Sequence, residues 1–296
     1  MAITNVLNLP QPFVDAATSD HQYKPHRYSV TEVLGGTCEA VLKRRHQGEA
    51  DEDVADRVWA IFGTAVHEVL RKAKGTDSQL QENWISVNIV GDYEMSGIFD
   101  LYDDETGTVT DWKTASIWKV KFGDFSDWRK QTLAYCWMLM EHGFDARRGE
   151  IVALLKDHSK RDAKYKASEG YPPHPVYRIS WDFTDEDFSS IEEEIMRWFA
   201  QVANQEQRTD DQLIPCSPEQ RWHKDDKWAV RKKGVKRALR VYDSESDATA
   251  RMEEENAKAG KEVFEVEFRE GEDTKCSGYC PVADFCPYAK KNLASS

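Results

Sequence analysis

The chain has 296 residues, with 53 acidic and 40 basic side chains and a formal net charge of −13. Its hydrophobic fraction of 40% and aromatic fraction of 11% exclude a collagen-like or low-complexity protein and argue against global disorder. The sequence contains neither the roughly 20 consecutive apolar residues of a membrane-spanning helix nor the pattern of a secretory signal, so we expect a cytoplasmic protein without a membrane partner.

The chain up to residue 205 has the pattern of an α/β core preceded by an arm. Residues 1–28 suggest an extended arm, and residues 29–205 form the predicted core. The first predicted helix has Ser29 or Thr31 as its N-cap and runs to about His46. Three further helices are predicted over about 54–73, 127–142 and 184–205. Strands are predicted at Trp84–Val90, Met95–Tyr102, Thr108–Lys113, Ile151–Leu155 and Val176–Phe183, with a charged loop at 157–175.

The composition changes after Gln205. Residues 206–226 are polar, contain Pro215 and Pro218, and suggest a linker. Residues 227–270 predict a small basic β-β-α-β subdomain. Residues 271–296 form a cysteine-containing segment that we expect to pack back on the N-terminal helix.

Cysteines are concentrated near the C-terminus. The six cysteines are Cys38, Cys136, Cys216, Cys276, Cys280 and Cys286. Without a secretory signal, a disulfide framework is not expected, and reduced thiols or a metal site fit better. The last three cysteines lie in a Gly- and Pro-containing loop that suits converging thiolates. They are one short of the four ligands usual for zinc or a cubane iron–sulfur cluster, and Cys38 and Cys216 are the candidates for the fourth. The loop lacks C-x-x-C knuckles, which favours iron–sulfur and leaves zinc as the alternative.

The stretch GIFDLYDDETGTVTDWKT carries the strongest chemical pattern. Asp100 lies on one predicted strand, and Asp111 and Lys113 lie on the next. Residues two apart on a strand share a face, and the hairpin brings Asp100 alongside that face. Carboxylates bind hard divalent cations, which hold phosphates and lower the pKa of a bound water, and an amine can orient that water. The alternative is an ordinary charged pair on a solvated strand.

These residues resemble the motifs of the PD-(D/E)XK nucleases, in which Gly-x-x-Asp, here GIFD, precedes Asp/Glu-x-Lys, here DWK. Two flanking features are similar to the RecB-like branch of that family. One is an upstream helical histidine, His67 in GTAVHEVL, and the other is Gln-x-x-x-Tyr on the following helix, Gln131 and Tyr135 in QTLAYCW. The resemblance implies a mixed central sheet flanked by helices.

The resemblance also implies roles for individual residues. The Mg²⁺ or Mn²⁺ ligands would be His67, Asp100, Asp111 and the main-chain carbonyl of Trp112. Lys113 would position the attacking water, and Gln131 and Tyr135 would contact substrate or steady Lys113.

The cysteines are similar to those of RecB-like nucleases that contain an iron–sulfur cluster, such as the CRISPR adaptation nuclease and AddB-type helicase–nucleases. These proteins use one N-terminal and three C-terminal cysteines. The resemblance therefore implies a [4Fe-4S] cluster whose ligands are Cys38, Cys276, Cys280 and Cys286.

We therefore predict a metal-dependent DNA exonuclease, of phage type, acting in recombination, repair or phage DNA processing. Its substrate would be single-stranded DNA or duplex ends. Phosphate contacts are predicted for six basic residues, for which a solvated hairpin is the alternative: Arg231, Lys232, Lys233, Lys236, Arg237 and Arg240. The alternative functions are a non-catalytic DNA-binding recombination partner that keeps the fold and a zinc-stapled nuclease. A ring-like or dimeric assembly and a recombination partner protein are compatible with the sequence.

Overall fold

The computed structural model describes residues 3–18, 22–49 and 52–293. Parts of the predicted arm and of the C-terminal segment, residues 1–2, 19–21 and 294–296, lie outside the described residues. The chain forms two compact units, Met1–Arg208 and Thr209–Ser296. Within the described residues, no helix is both long and apolar enough to cross a membrane.

The first unit contains eight strands and eight α-helices among its described residues. The strands are β1 (Ile3–Thr4), β2 (Arg27–Ser29), β3 (Glu52–Asp53), β4 (Gln79–Val90), β5 (Tyr93–Asp103), β6 (Thr108–Ala115), β7 (Arg148–Leu155) and β8 (Val176–Asp182). The helices are α1 (Gln11–Ala17), α2 (Val30–Val33), α3 (Thr37–Arg45), α4 (Val58–Arg71), α5 (Ile117–Phe122), α6 (Ser126–Glu141), α7 (Lys160–Tyr165) and α8 (Asp185–Glu206).

Three predictions for this unit are wrong in part. The single helix predicted up to His46 is two helices, α2 and α3, because Gly36 adopts an extended conformation and begins α3 as its N-cap. The predicted arm contains α1 and β2, and the predicted loop 157–175 contains α7. The N-cap at Ser29 is present as a capping box with Glu32.

The central sheet is mixed and has the order β2-β5-β6-β7-β8, with β4 also paired to β5. β5 and β6 are antiparallel, β6 and β7 are parallel, and β7 and β8 are antiparallel. β7 therefore lies inside the sheet, which explains why its alternate residues, including Ile151 and Ala153, are fully buried.

Helices flank this sheet. α6 lies close on β7, since a Cβ added to Gly149 would lie 2.5 Å from Thr132 Oγ1. α8 buries Phe188, Ile191, Ile195, Trp198, Phe199 and Val202, which recur at helical spacing. α8 is joined to the start of α3 by a hydrogen bond from the Trp198 indole to the Gly35 carbonyl.

The second unit contains the predicted β-β-α-β order. Its elements are β9 (His223–Lys224), β10 (Lys227–Lys232), β11 (Ala238–Tyr242), α9 (Glu245–Ala259), β12 (Phe264–Arg269), β13 (Glu272–Asp273), α10 (Thr274–Gly278) and α11 (Pro287–Leu293). β10 lies between β11 and β12 in an antiparallel sheet, and β9 pairs with β13. α9 begins at the Ser244 cap and ends at Gly260, which is left-handed with φ of 65°.

Candidate metal-binding active site

The candidate site lies where β5 and β6 separate. The two strands pair only through residues 101–103 and 108–110, and further along the same edge of β5, residues 94–96 pair with β2. The edge of β5 between these pairings is open, and Asp100 lies there. Its Oδ2 accepts a hydrogen bond of 2.7 Å from the main-chain N–H of Trp112, so Asp100 bridges the gap between the strands.

Three candidate metal ligands meet beside this gap. The Nδ1 atom of His67, on α4, lies 3.2 Å from Asp100 Oδ1 and 3.6 Å from Glu82 Oε1. One potential ligand atom from each of these residues lies within 4.8 Å of the others. Glu82 is on β4 opposite Asp100, because its neighbours Gln81 and Asn83 pair with Leu101 and Phe99.

Glu82 is the residue that sequence reasoning missed. The strand predicted from the sequence starts at Trp84, so Glu82 lies outside it, in the polar run QLQEN. Glu82 also has a positive φ of 50°, which is uncommon for a glutamate. A lone Glu in a polar run carries no signal of its own, and only the pairing of β4 with β5 reveals its position.

The remaining predicted active-site residues form a closed hydrogen-bonded group. The Lys113 ammonium lies 2.7 Å from Asp111 Oδ2 and donates a 2.8 Å hydrogen bond to Gln131 Oε1. Gln131 Nε2 in turn donates to Asp111 Oδ1 at 3.2 Å. Each member is therefore held by the other two, although Asp111 does not join the group of three close ligand atoms found in the described residues. Trp112 contributes its N–H to Asp100, and the metal-binding role of its carbonyl stays a prediction.

Tyr135 closes the site on the side of α6. Its ring fits against Gly97, the glycine of GIFD, where an added Cβ would lie 2.8 Å from Tyr135 Cε1 and 2.9 Å from its hydroxyl. The close approach explains why glycine stands there. Burial, together with the charges of Asp111 and Asp100, raises the pKa of the Tyr135 phenol, which therefore stays protonated.

The carboxylates are crowded and partly unsatisfied. The pKa of Asp111 is raised to about 6, because burial and, to a smaller extent, the charge of Asp100 outweigh the opposing effect of Lys113. Burial and then Asp100 raise the pKa of Glu82, whereas the hydrogen bond to Asp100 raises that of His67. Among the described residues, Glu82 Oε1 is buried without a hydrogen-bond donor, and Asp111 Oδ2 has only its charge contact with Lys113.

This arrangement fits a divalent cation. A cation would offset the repulsion between the carboxylates and give the buried Glu82 Oε1 a partner. Carboxylate oxygens suit Mg²⁺ and Mn²⁺, and the imidazole donor is better suited to the transition metal. The residues present therefore match a Mn²⁺ or Mg²⁺ site in their chemistry.

The cysteine-containing segment of the second unit is organised around Asp273. Asp273 accepts hydrogen bonds from Tyr288 and His223, and its Oδ2 lies 3.1 Å from Arg221 Nε. Arg221 also donates to the Cys216 carbonyl and lies over the Tyr288 ring. Asp273 thus links the segment around Cys216 to the one that carries the last three cysteines.

Four thiols are electrostatic neighbours in this unit. The pKa of Cys276 is raised to about 12, mainly by burial and also by negative charge on Cys280, Asp273, Cys216 and Cys286. Such thiols become ligands only when a metal centre compensates their charge. Cys38 is buried on α3 of the first unit, and Cys136 is buried on α6 with its thiol 3.5 Å from the Arg148 carbonyl.

The six basic residues predicted to bind phosphate lie on β10, β11 and their connection. Arg231 is paired with Glu265 and Glu267, with contacts of 3.0 and 2.6 Å, so its charge is largely used within the sheet. The other five are exposed: Lys232, Lys233, Lys236, Arg237 and Arg240. The exposed residues can therefore meet a partner, whereas Arg231 is the weakest candidate.

Comparison with known proteins places the chain in a family. The PD-(D/E)XK nuclease superfamily matches residues 39–287, and the chain belongs to this superfamily. Membership confirms the predicted fold class and implies a nuclease that uses divalent metal ions and acts on DNA. No curated protein sequence matches the chain.

Two solved structures are similar in part. A protein designated SSO0001 is 16% identical, covers 65% of this chain and 83% of its own, and gives a TM-score of 0.46. A phage-related exonuclease from Haemophilus somnus 129PT is 13% identical, covers 57% of this chain and 74% of its own, and gives a TM-score of 0.28.

Proposed function

We propose that this chain is a RecB-like exonuclease that hydrolyses phosphodiester bonds at DNA ends, in recombination, repair or phage DNA processing. The observation that carries the proposal is the group formed by His67, Glu82 and Asp100, with Lys113 and Asp111 on the adjacent strand. Metal ligands beside a partly buried lysine combine the two requirements of this hydrolysis, a cation site and a positioned amine.

The metal ligands in this proposal are His67, Glu82 and Asp100, joined by Asp111 and the Trp112 carbonyl. When bound there, Mg²⁺ or Mn²⁺ supplies a Lewis acid for the phosphate and lowers the pKa of a water. The Trp112 N–H fixes the orientation of the Asp100 carboxylate, which leaves its other oxygen beside His67.

Lys113 has the catalytic role that needs the most precise placement. Its ammonium is held by Asp111 and Gln131, so its remaining N–H bond can point toward a phosphate oxygen or an attacking water. Tyr135 supports this placement from the next turn of α6. A pre-positioned donor of this kind stabilises the charge that develops in the transition state without reorganisation.

End-labelled linear DNA and closed circular DNA, each single- and double-stranded, test the proposal with Mg²⁺, Mn²⁺ or EDTA. The proposal predicts loss of label from linear DNA with either cation, no cleavage in EDTA, and intact circles. Cleavage of circular DNA would show that the protein is an endonuclease and not an exonuclease. Binding without cleavage would favour the non-catalytic recombination partner.

We further propose an iron–sulfur cluster bound by Cys276, Cys280 and Cys286. The neighbouring thiols of the second unit support it. Family resemblance favours Cys38 as fourth ligand, and Cys216 is the alternative inside the unit. Iron content and visible absorbance of Cys38→Ser and Cys216→Ser, with Cys136→Ser as control, identify the fourth ligand. If the wild-type protein were colourless and contained zinc, these cysteines would form a zinc site and not an iron–sulfur cluster.

The exposed basic residues of the second unit would supply phosphate contacts. Reversing the charges of Lys232, Lys233 and Lys236 should weaken DNA binding and reduce its dependence on salt, since each lost phosphate contact lowers the slope by about one. Arg231→Glu is the comparison, because Arg231 already pairs with two glutamates. If the salt dependence of DNA binding were unchanged in the triple variant, the hairpin would be a solvated surface that does not contact DNA.

A further inference from the structure

The helix that carries His67 has an apolar flank that the described residues leave partly exposed. None of the 14 residues of α4, which lie within the described part of the chain, is fully buried. Trp59, Phe62, Val66 and Val69 follow one another at spacings of three and four and so form one stripe. Trp59 is 57% exposed and Phe62 is 39% exposed. An apolar stripe of this kind normally faces a core or a partner.

A second pair of exposed rings lies on α5, directly after the strand of Asp111 and Lys113. Trp118 is 52% exposed and Phe122 is 79% exposed. Their rings are stacked with centroids 6.0 Å apart, and Lys121 Nζ lies 5.0 Å from the Trp118 ring. The first turn of α5 is fixed by Ser116, whose hydroxyl accepts from the Trp118 N–H.

The two pairs of rings are connected through the end of β7. Lys156 Nζ lies 3.8 Å from the Trp59 ring, and its N–H donates to the Ala115 carbonyl at the end of β6. The next residue, Asp157, accepts from the Ser116 hydroxyl and the Ile117 N–H at the start of α5. These bonds place Trp59 and Trp118 at the same edge of the sheet.

This edge borders the candidate metal site. Trp59 precedes His67 by eight residues on α4, a rise of about 12 Å. α4 runs close to β6, since a Cβ added to Gly63 would lie 3.9 Å from Thr114 Oγ1, next to Lys113. A strand of a few nucleotides could therefore extend from the reacting phosphate to these rings.

We propose that Trp59, Phe62, Trp118 and Phe122, with Lys121 and Lys156, form a stacking surface that binds the unpaired bases of a DNA strand next to the active site. We call it the aromatic surface. The inference rests on the proposed nuclease function and adds the part of the substrate that is recognised, single-stranded DNA. Stacking on aromatic rings is tolerant of sequence, and lysines beside the rings match the charge of the phosphate backbone.

The composition of the aromatic surface favours nucleobases over a protein partner. Its exposed members are flat rings, and Lys121 and Lys156 each lie over a tryptophan on a chain whose net charge is −13. A protein partner or a second copy would instead be expected to cover the whole apolar stripe of α4, including Val66 and Val69, and that outcome is included in the test.

The test measures binding of a labelled oligo(dT) strand and a blunt duplex to the full chain in EDTA, where hydrolysis cannot interfere. Trp59→Ala and Trp118→Leu should each weaken binding of the single strand by about five- to a hundred-fold. Trp118→Phe keeps a flat ring and should bind nearly as the wild type does. Tyr165→Ala removes a 69% exposed ring beside Lys164 on α7 and should change nothing. Quenching of a 2-aminopurine base in the strand should be lost in Trp118→Leu.

Three results would overturn the aromatic surface. The first is that Trp118→Leu binds the single strand as tightly as the wild type does, or that Trp118→Phe loses as much affinity as Trp118→Leu. The second is that Tyr165→Ala loses as much affinity for the single strand as Trp118→Leu does. The third is a wild-type dimer that becomes monomeric in Trp59→Ala with DNA binding unchanged. Thermal unfolding of each variant excludes misfolding as the cause. Since binding is measured without cleavage, a failure of the proposed hydrolysis would not affect this result.

Discussion

Gly97→Ala should destabilise the first unit through a steric clash with Tyr135. The added Cβ would lie 2.8 Å from Tyr135 Cε1, 2.9 Å from its hydroxyl and 3.1 Å from Val30 Cγ2. Distances below 3.0 Å force neighbours to move, and overpacking of this kind costs about 1–3 kcal/mol. For a unit of this size the melting temperature should fall by about 2–4 °C per kcal/mol.

Gly63→Ala is the matched control. It is the same substitution on the helix that carries His67, but the added Cβ would meet only Thr114 Oγ1, at 3.9 Å. Because alanine is favoured over glycine inside a helix, this variant should be stabilised by about 0.5–1 kcal/mol. The two variants should therefore shift the melting temperature in opposite directions.

Circular dichroism during thermal and urea unfolding measures both effects. Gly97→Ala should also lower DNA cleavage by up to about 100-fold, because a displaced Tyr135 moves the helix that holds Gln131 against Lys113. In a Tyr135→Leu background the Cε1 and hydroxyl contacts are absent, so Gly97→Ala should cost less there. Wild-type stability of Gly97→Ala, or the same cost in both backgrounds, would refute the clash.

Three further changes address the metal, the chemistry and the second unit. Glu82→Gln should lower Mn²⁺ affinity in calorimetry by about ten-fold or more, with Glu68→Gln on α4 as control, and an unchanged affinity would remove Glu82 from the site. Lys113→Met should reduce cleavage by about 100- to 10,000-fold while metal affinity stays near that of the wild type. If Lys113→Met lost metal affinity to the same extent as Glu82→Gln, Lys113 would be assigned to metal binding instead. Asp273→Asn should destabilise the second unit by about 1–3 kcal/mol in urea unfolding at pH 7, and an unaltered midpoint would show that its hydrogen bonds are dispensable.

The Asp273 prediction has a definite pH dependence. Burial alone would raise the pKa of Asp273, but hydrogen bonds from Tyr288 and His223 and the contact with Arg221 outweigh it and lower the pKa from 3.8. Because the pKa is lower in the folded than in the unfolded chain, the carboxylate stabilises the fold above pH 3.8. This contribution is lost as the pH falls through the folded value, so the wild type should lose its advantage over Asp273→Asn in acid.

The hairpin that carries Asp100 and Asp111 was predictable because its signals are local. A turn of acidic residues and Gly107 separates two runs of β-forming residues, and Gly107 adopts the left-handed φ of 59° that such a turn requires. The observed strands, Tyr93–Asp103 and Thr108–Ala115, contain the predicted ones. Alternation along β6 placed Asp111 and Lys113 on one face.

The parts that were missed depend on contacts between distant segments. β2 has three residues and exists because it pairs with residues 94–96 of β5, more than 60 positions away. Glu82 becomes a ligand candidate only when β4 places it opposite Asp100, with a backbone conformation that its residue type does not favour. The exposed tryptophans of α4 and α5 could not be distinguished from core residues by their spacing alone.

Mn²⁺ binding measured by electron paramagnetic resonance, followed by DNA cleavage on the same samples, tests the central claim most directly. The account predicts that the wild type binds Mn²⁺ and then degrades linear DNA, whereas Asp100→Asn loses both, since Asp100 contacts His67 and the Trp112 N–H in the middle of the site. Tight Mn²⁺ binding and undiminished cleavage by Asp100→Asn would place the metal and the chemistry elsewhere in the chain.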